Sequence, residues 1–218
     1  VRNLCSRIFK RQISKAGTFT SPRAIAYSIV ALSKRSLDNE RLALLHKLSD
    51  LLIGLYQQKS SRLWLWFEDY ITYCNGILPQ AMLSAYQATG DKKALKIGRD
   101  SLNFLCGILF RRGYLNIVGN RGWYQKGGSI PLFDQQPVEA GSMILACREA
   151  FRVTGQKDFQ SMMEIIRQWY LGKNIHGLPL INSETGGCHD GLTPDGLNSN
   201  QGAEALVTML LSSQLLQP

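Results

Sequence analysis

Carboxylates, amides and aromatic rings gather in three short stretches of this chain, and each set suits a hydroxyl-rich ligand. The first is Trp64-Leu65-Trp66-Phe67-Glu68-Asp69-Tyr70, followed by Tyr73 and Asn75. Flat apolar rings stack on pyranose faces, while carboxylates accept hydrogen bonds from hydroxyls. The same residues also fit a bland reading, with Trp64 and Trp66 in the core and Glu68 or Asp69 capping a helix. The second stretch is Gly119-Asn120-Arg121-Gly122-Trp123-Tyr124, then Phe133 to Ala140, with Asp134, Gln135, Gln136 and Glu139. Asp134 stands just before a proline-started helix, where unpaired N–H groups and the helix dipole favour a carboxylate. Glu139, in the first turn, has the position of a capping-box partner. Two adjacent glutamines have no capping duty and are natural hydroxyl binders. The third stretch holds Cys188-His189-Asp190-Gly191 and Asn198-Ser199-Asn200-Gln201-Gly202-Ala203-Glu204. Here Asp190 is a candidate acid, base or sugar ligand. Asn198, Asn200 and Glu204 serve equally well to satisfy the loop's own backbone. Asp195-Gly196 reads as a turn.

The elements that must position these groups repeat. Ser21-Pro22-Arg23-Ala24, Leu78-Pro79-Gln80-Ala81, Gln136-Pro137-Val138-Glu139-Ala140 and Gln201-Gly202-Ala203-Glu204-Ala205 each mark a loop turning into a helix. Their alanines are spaced 57, 59 and 65 residues apart, room for two helices and their loops. Self-similarity at such a period indicates an array of one supersecondary unit, here a helical hairpin. Apolar spacing and end signals predict seven helices, the first opening at Pro22 with Ile25, Ile29 and Leu32 as its stripe, the others over about 39–57, 75–89, 92–109, 137–154, 157–171 and 202–216. Two hairpins agree in detail at an offset of 65, Ala85-Tyr86-Gln87-Ala88-Thr89-Gly90 against Ala150-Phe151-Arg152-Val153-Thr154-Gly155. The connectors 110–136 and 172–200 are long and rich in Gly, Asn, Trp and Asp. Loops beyond ~12–15 residues in a compact domain are usually functional, and repeat arrays carry them on one face. The chemistry is therefore expected at that end.

Composition bounds the rest. At 218 residues, 44% hydrophobic and 19% charged, the chain reads as one globular unit over 1–218. No apolar run reaches the ~18 residues of a membrane span, and the start lacks an initiator Met and a signal-peptide core. A C-terminal part of a longer chain is the expectation. Five dispersed cysteines with no CxxC suggest buried thiols in a reducing compartment, hence a cytoplasmic protein. Three histidines, one on a leucine-rich helix, argue against a metal site, and nothing calls for a cofactor. Residues 1–62 hold 12 Lys/Arg against 3 Asp/Glu. Without aromatic interleaving or a nucleic-acid motif, that excess reads as a solvated face or a domain contact.

Taken in order, Trp66-Phe67-Glu68-Asp69, Tyr73-Cys74-Asn75, Leu78-Pro79-Gln80-Ala81, Gly119-Asn120, Gly122-Trp123-Tyr124, Phe133-Asp134-Gln135-Gln136-Pro137 with Glu139-Ala140, Asp190-Gly191-Leu192 and Asn198 through Glu204 resemble a bacterial family of helical-hairpin domains. That family is similar to six-hairpin glycosidases and is often fused C-terminally to glycosyltransferases. The resemblance covers about residues 60–216. It implies an all-α fold of antiparallel hairpins in an (α/α) toroid that handles carbohydrate, with a linked glycosyltransferase domain as partner. Seven helices make an incomplete arc of such a toroid, since a closed one needs twelve. Cys74 and Cys188-His189 depart from the more polar or aromatic residues expected beside the motifs.

The leading expectation is an enzyme-like domain acting on glycosidic linkages by acid–base chemistry. Asp134 and Asp190 would lie near the reacting centre, with Glu68 or Asp69 opposite. Trp66 and Trp123 would stack on the sugar. Asn75, Gln135, Gln136, Glu139, His189, Asn198, Asn200 and Glu204 would bind it. The alternative is a non-catalytic glycan-binding or acceptor-positioning module. A helical protein-interaction scaffold would instead expect short loops.

Overall fold

The computed structural model describes residues 2–35 and 38–215. Eight α-helices carry the fold: α1 (Arg2–Gln12), α2 (Pro22–Ser33), α3 (Asn39–Lys59), α4 (Ile77–Thr89), α5 (Lys92–Leu109), α6 (Pro137–Thr154), α7 (Asp158–Tyr170) and α8 (Ala203–Gln214). Seven of them fall where hydrophobic spacing predicts, although Leu216 of the last lies outside the described residues. The additional helix is α1, a basic segment in which Leu4 and Ile8, and Cys5 and Phe9, recur at helical spacing and which sequence reasoning passed over. A 3-10 segment, Ile13–Thr18, joins it to α2.

Side-chain chemistry explains the ends. Pro22 and Pro137 open α2 and α6, where a missing N–H costs nothing. Asp38 and Asp91 cap α3 and α5 by accepting from Arg41 N at 2.9 Å and Lys93 N at 2.8 Å. The Thr-Gly repeats match bond for bond. Thr89 and Thr154 donate to Ala85 O and Ala150 O at 2.8 and 2.7 Å. Each hydroxyl then accepts the N–H two residues on, from Asp91 or Gln156, at 3.2 Å. Gly90 and Gly155 take the left-handed turn that sends the chain back.

The helices form two layers. α2 packs on α4, α4 on α6 and α6 on α8, while α3, α5 and α7 pair with α2, α4 and α6 as the outer arms of hairpins. Polar links show that the inner helices run parallel. Arg23 at the head of α2 bonds residues just before α4, and Glu139 at the head of α6 bonds the same segment. At the other end Glu149 of α6 receives Lys34, which follows α2, at 3.0 Å and Ser84 of α4 at 3.0 Å. Every residue from Ile77 to Ala85 is buried, as befits a helix covered on all sides. The result is an arc of three hairpins and one further inner helix.

Three long loops meet at the heads of the inner helices and are stitched together. β1 (Tyr70–Ile71) pairs antiparallel with β2 (Tyr124–Gln125), joining the loop before α4 to the loop before α6. Gln135 and Leu192 exchange both backbone hydrogen bonds at 2.9 Å, joining the loop before α6 to the loop before α8. That approach requires Gly191, because a Cβ there would stand 2.2 Å from Gln135 O. Phe133 stacks on His176 at 5.1 Å, adding a second tie between the same two loops. Asp195 lies in the turn between β3 (Leu192–Thr193) and β4 (Gly196–Leu197), and Gly196 opens β4.

Candidate functional site

The polar groups that the sequence singles out are drawn together at this loop end into two constellations. The first centres on Arg23, one residue inside α2 and 6% exposed. Its guanidinium donates to Glu68 Oε2 at 2.8 Å, Thr72 Oγ1 at 2.6 Å, Tyr73 O at 2.5 Å and Asn75 Oδ1 at 3.3 Å. It also lies 4.7 Å from the centre of the Tyr73 ring. Asn75, itself buried, passes the network on: its Nδ2 donates to Glu139 Oε2 at 2.8 Å. Glu139 further accepts from the backbone N–H groups of Cys74 and Asn75. Burial pushes the Glu139 carboxyl above the usual carboxylate range, and the bonds from Asn75 and Cys74 and the Arg23 charge only partly oppose it. Beside it, desolvation raises both the Cys74 thiol and the Tyr27 hydroxyl. Glu204, exposed in the first turn of α8, adds its field at Cys74.

The second constellation belongs to the loops before α6 and α8. Asp190 Oδ1 accepts from Gly202 N at 2.6 Å, capping α8 from a distance, while Oδ2 accepts from Asn200 Nδ2. Asn200 N donates to Asn198 Oδ1 at 3.0 Å, and His189 Nδ1 contacts Asn198 O at 2.9 Å. The thiol of Cys188 is raised to about 12, by burial first and by the Asp190 charge second. Asp134 differs from these. Arg121 Nε stands 3.2 Å from both its oxygens but directs its N–H to Oδ2. Oδ1 is left buried without a donor, and an acceptor in that state costs about 1–3 kcal/mol. Trp123 is close in sequence to Arg121, 43% exposed and at a φ of 48°. Cys74 and Trp123 are the only described non-glycine residues with positive φ, and both lie in the loop face. Such conformations concentrate at ligand sites.

The remaining sequence-selected residues lie elsewhere or are otherwise engaged. Trp66 is fully buried between Phe67 and Phe104. Gln135 is fully buried too; its amide donates to Asn116 Oδ1 and Leu132 O and accepts from Trp169 Nε1. Asp69 is exposed and pairs with Lys59 at 2.5 Å. Gln136 is the half-buried N-cap of α6 and makes no side-chain cap bond. Sequence reasoning missed Arg23 as the hub, and Tyr27 with it. A basic residue following Pro at the start of a repeat was the available signal. Among the described residues, no group of three or more His, Cys, Asp or Glu is placed to hold a metal ion. Among the described residues, no helix is long and apolar enough to cross a membrane.

The fold is an incomplete arc of an (α/α) helical-hairpin toroid. Solved structures that share it include three enzymes. A sugar epimerase from a ruminal bacterium matches with a TM-score of 0.62 and 19% identity over 89% of this chain and 54% of that one. A D-mannose isomerase matches at 0.61 and 17%, over 89% and 55%. Cellobiose 2-epimerase from Bacillus thermoamylovorans B4167 matches at 0.64 and 13%, over 88% and 52%. The chain therefore spans about half the length of these enzymes. No protein-family profile matches it, and no curated protein matches its sequence.

Proposed function

We propose that the chain is a carbohydrate-active domain that receives a saccharide at the stitched loop end and performs acid–base chemistry on its glycosidic linkage. One observation carries the catalytic part: Asp134 stands at the loop face with its side chain 28% exposed and one oxygen that no protein group donates to, so its carboxylate can accept from a sugar hydroxyl and, once protonated, can donate to a glycosidic oxygen. Trp123 offers a partly exposed ring for stacking, and Gln136 and Asn200 offer amides. Asp190 holds the loop and α8 in place. The sugar-processing enzymes that share the fold support a saccharide ligand. The motif order supports a linked glycosyltransferase and, with the dispersed thiols, a cytoplasmic setting.

A specific observation favours the second reading, a glycan-binding module that positions an acceptor for a glycosyltransferase. Glycoside hydrolysis typically uses two carboxyl groups. Glu68, Asp69, Glu139 and Asp190 are each engaged by protein donors, and Asp134 is itself paired with Arg121, so no two of these carboxylates are free of protein partners. Incubation with gluco- and manno-oligosaccharides, followed by proton NMR of the anomeric signals and calorimetric binding, separates the readings. The first requires turnover that falls about 100-fold or more in Asp134→Asn with affinity retained, as loss of general acid–base catalysis predicts. Binding without turnover selects the second. Absence of both sinks the saccharide proposal.

A further inference from the structure

An open cleft of about 390 Å³ lies in the outer layer, between the C-terminal part of α3, the turn that follows it and the first half of α5. Tyr56, Leu65 and Ile97 give it apolar walls, and Arg62, Lys93 and Lys96 bring basic groups. Lys96 pairs with Asp100, which also lines the cleft. Among the described residues the side chains of Arg62 and Lys93 have no ion-pair or hydrogen-bond partner. The turn carrying Arg62 is well placed, because Ser61 and Trp64 exchange both backbone hydrogen bonds, at 2.9 and 3.1 Å. Trp64 in turn packs on Phe104 of α5 at 5.3 Å, which holds the turn against that helix.

Tyr56 separates this cleft from a patch of surface lysines. The residue is 7% exposed, with its ring edge-on to Phe67 at 5.2 Å. Among the described residues its hydroxyl has no hydrogen-bond partner. Nor is that oxygen sealed in the core: the sealed, unmet side-chain atoms are Ser49 Oγ, Trp66 Nε1, Gln80 Oε1 and Asp134 Oδ1. The hydroxyl therefore reaches solvent, and the cleft that Tyr56 lines is where it does so. Desolvation first, and the Asp100 charge second, push it up to about 12, so it stays protonated and remains a donor near neutral pH.

We propose that this cleft binds a small phosphate monoester with an apolar or aromatic body, its head met by Arg62, Lys93 and the Tyr56 hydroxyl and its body laid along Leu65 and Ile97. Two cations without partners match the charge of about −1.5 to −2 that a phosphate monoester carries at neutral pH. A planar guanidinium suits two of its oxygens at once. The volume lies within the usual range for small-molecule sites, which combine apolar walls with a few placed polar groups. None of the loop-end candidates lines the cleft, and the inference does not rest on the saccharide reading.

Phenyl phosphate is the probe, measured by titration calorimetry and phosphorus NMR. It binds saturably at one site, about tenfold or more tightly than benzoate, with one charge, or benzyl alcohol, with none. Tyr56→Phe keeps the ring and loses no bond within the protein, yet weakens phenyl phosphate about tenfold, because a hydrogen bond to a charged group is lost. Arg62→Gln and Lys93→Gln each weaken it to a similar degree, about tenfold, and reduce the sensitivity of binding to salt. The double variant Arg7→Gln/Arg11→Gln removes two charges from α1, outside the cleft, and leaves the affinity unchanged. Benzoate bound as tightly as phenyl phosphate, full affinity in Tyr56→Phe, an equal loss in the α1 variant, or no saturable binding overturns the proposal.

Discussion

Arg23 is the position where one substitution reports most on how the loop end is held. Its side chain is 7% exposed and its partner Glu68 is 24% exposed, so the pair is shielded from solvent on both sides. Removal in Arg23→Ala leaves the Glu68 carboxylate, the Tyr73 carbonyl, the Thr72 hydroxyl and the Asn75 carbonyl without their shared donor. Breaking a buried ion pair from one side costs about 3–5 kcal/mol. For a chain of this size each kcal/mol moves the melting temperature by about 2–4 °C, so a fall of roughly 6–20 °C is expected. Arg23→Lys separates charge from geometry. A lysine keeps the attraction to Glu68, but its three donors diverge and cannot reproduce a planar fork spanning four acceptors. Its expected cost is smaller, about 1–3 kcal/mol. Equilibrium urea denaturation followed by circular dichroism measures both, and a double-mutant cycle with Glu68→Gln isolates the pair. Hydrogen exchange at the amides of Cys74 and Asn75 adds a local readout, because these amides donate to Glu139 inside the same network. A cost below about 1 kcal/mol for Arg23→Ala, the range of a surface pair, refutes the hub.

Two further outcomes follow from the same frame. Because the folded-state Glu139 carboxyl is raised by burial, the folded protein binds its proton more readily than the unfolded chain. The ionised form is penalised, so stability attributable to this residue falls as pH rises from the ordinary value of 4.5 through the raised one. Wild-type stability measured relative to Glu139→Gln should therefore decline over that window, and a rise would contradict the burial argument. Gly76→Ala places a Cβ 2.3 Å from the Ser142 carbonyl oxygen on α6, whereas a Cβ at Gly54 meets nothing within 4 Å. The first should destabilise by about 1–3 kcal/mol and the second should stabilise by about 0.4–1 kcal/mol. Thermal unfolding that shows the two variants alike would mean α4 and α6 do not pack this closely.

The helical frame was readable from the sequence because its signals are local. Pro22 and Pro137 open helices, Gly90 and Gly155 close them, and the leucine stripe of 39–57 needs only its own register. The Thr-Gly match at an offset of 65 proved to be a shared hydrogen-bond pattern, since a hydroxyl three or four residues from its acceptor is specified by neighbours. What the sequence could not show was which polar groups are used up by distant partners. Gln135 looks free beside Gln136, yet its amide is consumed by Asn116 and Trp169, 19 and 34 positions away. Trp66 looks like a stacking ring in a run of aromatics, but it is fully buried against Phe67 and Phe104. Arg23, the hub, finds its partners 45 to 52 residues along the chain.

That difference bears on why carboxylates recur at the helix heads at all. The first turns of inner helices present N–H groups with no partner of their own, and a repeat places them side by side at one end. Acceptors are demanded there whether or not a ligand ever arrives. Asp190 and Glu139 spend their oxygens just ahead of those helices, bonding Gly202 N and the amides of Cys74 and Asn75. Recurrence of acidic residues at equivalent steps thus serves the loop-to-helix junctions and says little by itself about chemistry. Discrimination comes from the acceptors that the fold leaves over. Asp134 Oδ1 at the loop end and Gln80 Oε1 in α4 are both buried and both without a donor, and neither closes a helix end. Of the two, only Asp134 belongs to a side chain that is partly exposed at the loop face, and it is there that a ligand donor can reach the carboxyl.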